Sequence, residues 1–106
     1  MSRLTEVLDR LAATIEARRG ADPASSWTAK LLADPTLAAK KLGEEAVEVV
    51  LAAALKDGDG LAAESADVLY HLLALLAASG VSLDEVAAKL EAREGRSGVD
   101  EKAGRS

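Results

Sequence analysis

The sequence predicts an all-α fold of four to five helices, an antiparallel helical bundle completed by homodimerisation. Apolar residues make up 49 % of the chain, yet almost all of them are Ala, Leu and Val, with one Trp, one Tyr and no Phe, a mix that favours helix over strand. Apolar positions recur at helical spacing, and clusters of Gly, Pro, Asp and Ser separate the segments. Side chains this small bury little area each, so a core built from them gains much from a second subunit's surface. At 106 residues one domain is the economical reading. It spans 1–94, and the stretch 95–106 ("GRSGVDEKAGRS"), with almost no apolar content, is expected to be a disordered polar tail.

The first helix is predicted from about Arg3 to Arg18, with Leu4, Leu8, Leu11 and Ile15 on one face and Gly20 beyond its end. "GADPASS" (Gly20 to Ser26) is loop. Ser25 or Ser26 caps a short helical turn over Trp27 to Ala33. Asp34 and Pro35 are a cap and a first-position proline for a third helix that ends near Lys56. "DGDG" (Asp57 to Gly60) reads as a turn, so the fourth helix is expected over Leu61 to Ser79, closed by Gly80. The fifth opens on Ser82 and Glu85 in capping-box spacing and stops before Gly95.

Composition excludes several function classes. There is no cysteine, hence no disulfide framework and no thiolate zinc site, which suits a cytoplasmic protein. No stretch reads as a secretory signal, and the longest apolar run, Val68 to Ala78, is too short to span a bilayer and contains His71. A net charge of −5 disfavours nonspecific attraction to nucleic acid or an anionic membrane. A metal-bridged phosphate ligand stays compatible with it, because the metal reverses the local field.

Two acidic pairs on apolar helices carry the chemistry. At ~100° per residue, Glu44, Glu45 and Glu48 fall in one stripe of the third helix, flanked by apolar surface on both sides. The fourth helix is apolar nearly all round, yet Glu64, Asp67 and His71 share a narrow sector of it. Ionised groups there must be paired, hydrogen-bonded or bound to a cation. Glu45-x-x-Glu48 and Glu64-x-x-Asp67, brought together by a tight turn, would form an all-oxygen cage of the kind Mg²⁺, Mn²⁺ or Ca²⁺ prefers. His71, four residues after Asp67, reads as an Asp67 partner or core hydrogen-bonder rather than a metal ligand. Lys30, beside the single Trp27, and Lys40 and Lys41, one turn before the acidic stripe, supply the cations that a polyphosphate needs at the border of such a cage. The plainer alternatives are solvated charges or ion pairs at a dimer rim.

"GEEAVE" (Gly43 to Glu48) followed fifteen residues later by "ESAD" (Glu64 to Asp67) resembles the EExxE…ExxD pattern of the all-α nucleoside-triphosphate pyrophosphohydrolase superfamily. "SWTAKLL" (Ser26 to Leu32), "KKLGEEAVEVVLAA" (Lys40 to Ala53), "ESADVLYHLLALLA" (Glu64 to Ala77) and "GVSLDEVAAKLEAR" (Gly80 to Arg93) are similar to its phosphoribosyl-ATP pyrophosphatase family. The resemblance implies Mg²⁺-dependent hydrolysis of phosphoribosyl-ATP to phosphoribosyl-AMP and pyrophosphate, the second step of histidine biosynthesis, with Mn²⁺ as a possible replacement. It also implies a homodimer with sites near the subunit interface. Transferred to this chain, Glu45, Glu48, Glu64 and Asp67 are the metal ligands. Glu44, Glu45 and Glu48 are the catalytic acids, with Glu44 orienting or deprotonating water or holding another metal. Lys30, Lys40 and Lys41 hold phosphates, with His71 and Trp27 beside the cage. The family usually has Tyr at the position of Trp27, and many relatives carry a fused, cysteine-dependent cyclohydrolase that a chain without cysteine does not contain. The rival functions are a house-cleaning enzyme that cleaves ordinary or damaged nucleoside triphosphates, deoxynucleotides among them, with the same cage, and a non-catalytic helical dimer whose acids form interhelical ion pairs.

Overall fold

Five helices run in the order α1 (Leu4–Ala17), α2 (Trp27–Ala33), α3 (Pro35–Ala54), α4 (Gly58–Ala78) and α5 (Leu83–Glu91) in the computed structural model, which describes residues 2–95. Among the described residues there is no strand. The predicted tail lies, from residue 96 on, outside the described residues.

Local chemistry sets the helix ends. Ser26 accepts from the Ala29 N–H and opens α2. Asp34 accepts from the Leu37 N–H, with Pro35 at the first helical position of α3. Ser82 and Glu85 form the full capping box of α5. Gly80, at φ 72°, closes α4: the Val81 N–H reaches back to the Leu76 carbonyl and the Gly80 N–H to that of Ala77, a Schellman motif.

One boundary differs from the sequence reading. α4 begins at Gly58, so "GDG" is helical rather than turn. α3 ends instead in a Schellman motif, in which the Asp57 N–H donates to the Ala52 carbonyl and the Lys56 N–H to that of Ala53. Lys56 occupies the left-handed position, at φ 56°, that glycine usually takes. Asp57 then caps α4 by accepting from the Gly60 N–H. The two glycines fall in the first helical turn, where amides lack intrahelical partners in any case and the usual cost of interior glycine is small.

With only residues 55–57 between them, α3 and α4 form an antiparallel hairpin that is the backbone of the fold. α1 and α2 pack on α4, and α2 also on α3. Ile15, Leu32 and Leu73 form one buried cluster with Leu8, Leu11 and Tyr70 against it, and Leu31, Ala38 and Ala74 form a second. Arg19 ties the first layer down, donating to both Glu16 oxygens and to the Ala77 carbonyl. α4 is long and apolar enough to cross a membrane, but it is the helix against which α1, α2 and α3 all pack, and it carries Glu64, Asp67 and His71. The core is thin. Meanwhile Val47, Val50, Leu51 and Leu55 lie exposed in one stripe along α3.

Candidate metal and phosphate site

The hairpin brings the two acidic helices face to face. Glu45 of α3 and Glu64 and Asp67 of α4 present carboxylate oxygens that all lie within 4.8 Å of one another. Glu45 and Glu64 are half-buried and Asp67 is exposed. Burial, then the charges of Asp67, Glu45 and Glu48, and a hydrogen bond with Glu45 push the Glu64 carboxyl above its ordinary pKa. The cluster is thus over-supplied with negative charge and oxygen donors, and it is open on one side. A hard divalent cation that keeps several waters fits such a set: it takes carboxylate oxygens and relieves their mutual repulsion. Glu48, expected as a fourth ligand, does not join the close triple. It is exposed, one turn further along α3, and close enough for its charge to reach Glu64.

Glu44 stands at the edge of this cage in an ion pair with Lys41 at 2.9 Å. The hydrogen bond and charge of Lys41, with the charge of Lys40, lower the Glu44 pKa. The Lys41 ammonium is raised in turn, by its bond to Glu44 and by the charges of Glu44 and Glu45. Lys41 also lies 6.0 Å from the centroid of the Trp27 ring, and Lys30 of α2 lies 5.8 Å from the same ring. Trp27, Lys30, Lys41 and Glu44 therefore form one cluster beside the cage. Lys40 makes no ion pair or ring contact among the described residues: one turn before Glu44 it acts on that carboxylate through its charge, and seven residues before Val47 it also borders the exposed apolar stripe.

His71 is buried one turn beyond Asp67. Its Nδ1–H donates to the Asp67 main-chain carbonyl at 2.8 Å. The expected Asp67 partnership is therefore with the backbone and not with the carboxylate. Nε2 is buried without a hydrogen-bond partner among the described residues, and the ring meets Tyr70 edge-on, 4.9 Å between centroids.

A contact that the sequence did not suggest holds α2 in place: Tyr70 and Thr28 share a hydroxyl hydrogen bond between α4 and α2. With Ala29, Leu31 and Leu32 buried, it leaves Trp27 and Lys30 on the outer face of α2.

A family model described as phosphoribosyl-ATP pyrophosphohydrolase matches residues 8–94. The chain belongs to the phosphoribosyl-ATP pyrophosphohydrolase family. It is 74 % identical over 104 residues to a curated phosphoribosyl-ATP pyrophosphatase of Caulobacter vibrioides, covering 98 % of this chain and 97 % of that one. A protein of the same name from Cereibacter sphaeroides is 65 % identical over 93 % of this chain and 97 % of its own. Another from Rhodobacter capsulatus is 62 % identical over 92 % and 96 %. The stretch matched by the pyrophosphohydrolase family contains the cage, the basic cluster and all five helices except the first residues of α1.

Proposed function

We propose that this chain is a hydrolase that cleaves phosphoribosyl-ATP between its α and β phosphates, giving phosphoribosyl-AMP and pyrophosphate in the second step of histidine biosynthesis. The observation that carries the reading is the convergence of Glu45, Glu64 and Asp67 across the α3–α4 hairpin, in a pyrophosphohydrolase chain with Lys30 and Lys41 alongside.

Glu45, Glu64 and Asp67 would hold Mg²⁺, or Mn²⁺ in its place, with Glu48 next along the stripe to extend the cage. When bound there the cation supplies positive charge for the phosphate oxygens and makes water easier to deprotonate near neutral pH. Lys30 and Lys41 hold the outer phosphates, and the pyrophosphate leaves toward them. Glu44, at the cage edge, is the carboxylate positioned to orient the attacking water or take its proton once phosphate competes for Lys41.

The protein acts, on this reading, as a homodimer. Support comes from the α3 stripe of Val47, Val50, Leu51 and Leu55, whose large apolar side chains a second copy would cover, and from the thin core of the single chain. A small-molecule substrate in the cytoplasm, with no nucleic-acid or membrane partner, agrees with the acidic balance of the chain.

The test is release of pyrophosphate by the purified protein from phosphoribosyl-ATP and, in parallel, from a panel of deoxynucleoside triphosphates, with Mg²⁺ and with a chelator. Conversion of phosphoribosyl-ATP alone, dependent on Mg²⁺ and lost in Glu64→Gln without unfolding, is expected. Preference for the deoxynucleotides, or turnover that survives chelation, would overturn the assignment.

A further inference from the structure

We propose that Trp27 is a positioning residue, whose indole ring gathers the ammonium groups of Lys30 and Lys41 into a clamp for the diphosphate end of the substrate. This rests on the pyrophosphohydrolase reading and adds the group that sets the clamp's geometry. The two Nζ atoms lie 5.8 and 6.0 Å from the centroid of one ring. The Lys30 contact is local, one turn along α2. The Lys41 contact is tertiary and brings a cation from α3 to a ring on α2.

Gathering two like charges is unfavourable, and the negative face of an indole is a feature that offsets it. A surplus of positive charge held at an accessible ring serves a ligand with several anionic oxygens close together. The ring is 43 % exposed. It is also fixed from behind, since Ser26 caps α2, Ala29, Leu31 and Leu32 are buried, and Thr28 bonds to Tyr70. Lys30 forms no ion pair among the described residues. The carboxylate paired with Lys41, Glu44, adjoins Glu45 in sequence, so the clamp borders the cage.

Trp27 is the only tryptophan, so intrinsic fluorescence reports on this site alone. In the full-length protein with Mg²⁺, inorganic pyrophosphate is expected to produce a saturable change in emission, and Lys30→Gln and Lys41→Gln each to shift the emission of the ligand-free protein. Trp27→Leu is expected to raise KM and weaken calorimetric pyrophosphate binding by about tenfold, equivalent to about 1.4 kcal/mol, with kcat changed by less than about twofold. Trp27→Phe and Trp27→Tyr, which keep an aromatic face, should recover affinity to within about threefold of the wild type. Circular dichroism checks that each variant is folded. If Trp27→Leu does not fold, the aromatic replacements and the two lysine variants still decide. Wild-type affinity in a folded Trp27→Leu, or emission that ignores both lysines and pyrophosphate, overturns the proposal. A wild type that binds pyrophosphate with a change in Trp27 emission yet leaves phosphoribosyl-ATP intact would overturn the reaction and not the clamp.

Discussion

Replacing Val50 with Asp asks whether the apolar stripe of α3 is a surface or an interface. Val50 is 65 % exposed, so in a lone chain the change removes little burial. It should then cost no more than about 0.5 kcal/mol, as substitutions on open surface do. A homodimer built across the stripe gives a different sum. Full burial of a valine contributes about 1.5 kcal/mol, and the portion still open in the single chain accounts for about 1 kcal/mol of it. A two-fold interface is self-complementary, so both copies lose that burial, about 2 kcal/mol per dimer. This alone weakens association by about 30-fold. Two unpaired carboxylates pressed into an apolar contact add several kcal/mol more. Val50→Asp should therefore be monomeric at micromolar concentrations where the wild type is dimeric, with a melting temperature that no longer rises with protein concentration. Sedimentation velocity over a dilution series, paired with thermal scans, reads both. Dimers of equal affinity in wild type and variant would refute the placement of the interface. A wild type that is monomeric throughout, melting where the variant melts, would refute the interface altogether.

Leu31→Ala empties a fully buried position at the junction of α2, α3 and α4. It should cost about 2.7–5 kcal/mol, out of the 5–15 kcal/mol typical of a domain, in urea unfolding. A loss under about 1 kcal/mol would mean that α2 is not anchored there. Lys56→Gly relieves a left-handed backbone and should stabilise by about 1 kcal/mol on the same assay, whereas any loss would contradict the motif. For Glu64→Gln the sign follows from a raised carboxyl pKa. The folded metal-free protein holds more proton than the unfolded chain between the two pKa values, so stability falls as pH rises through that window, and the penalty stays above it. The variant should melt higher than the metal-free wild type at neutral pH, lose this advantage near pH 4, and gain nothing from Mg²⁺. An unchanged Mg²⁺ response would argue against the cage.

Much of the fold was legible because its signals are local. Ser26, Asp34–Pro35 and Ser82–Glu85 each act within one turn, and the helices begin where those residues stand. "DGDG" misled for a related reason: glycine is a turn signal by average habit, but here Lys56 makes the turn and Asp57 starts the helix. The cage was legible in part. Spacing shows that Glu45 and Glu48 share one face, but which of them meets Glu64 and Asp67 depends on how α3 and α4 are rotated against each other, a matter of packing. Lys40 and Lys41 are neighbours in the chain but about 100° apart on the helix, so Lys41 forms the ion pair with Glu44 and reaches the Trp27 ring while Lys40 acts on Glu44 through its charge alone. The Trp27–Lys41 and Thr28–Tyr70 contacts join separate helices, and a single sequence carries no record of such pairings.

The three-residue link between α3 and α4 bears on how quickly the site comes into being. Its carboxylates meet across a loop of three residues, so little chain entropy is lost in bringing them together. Docking of α1, whose side chains reach across most of the sequence to α4, closes a far longer loop. Nascent chains should therefore own their acidic centre at the pace of a helical hairpin, before the rest of the molecule has settled around it.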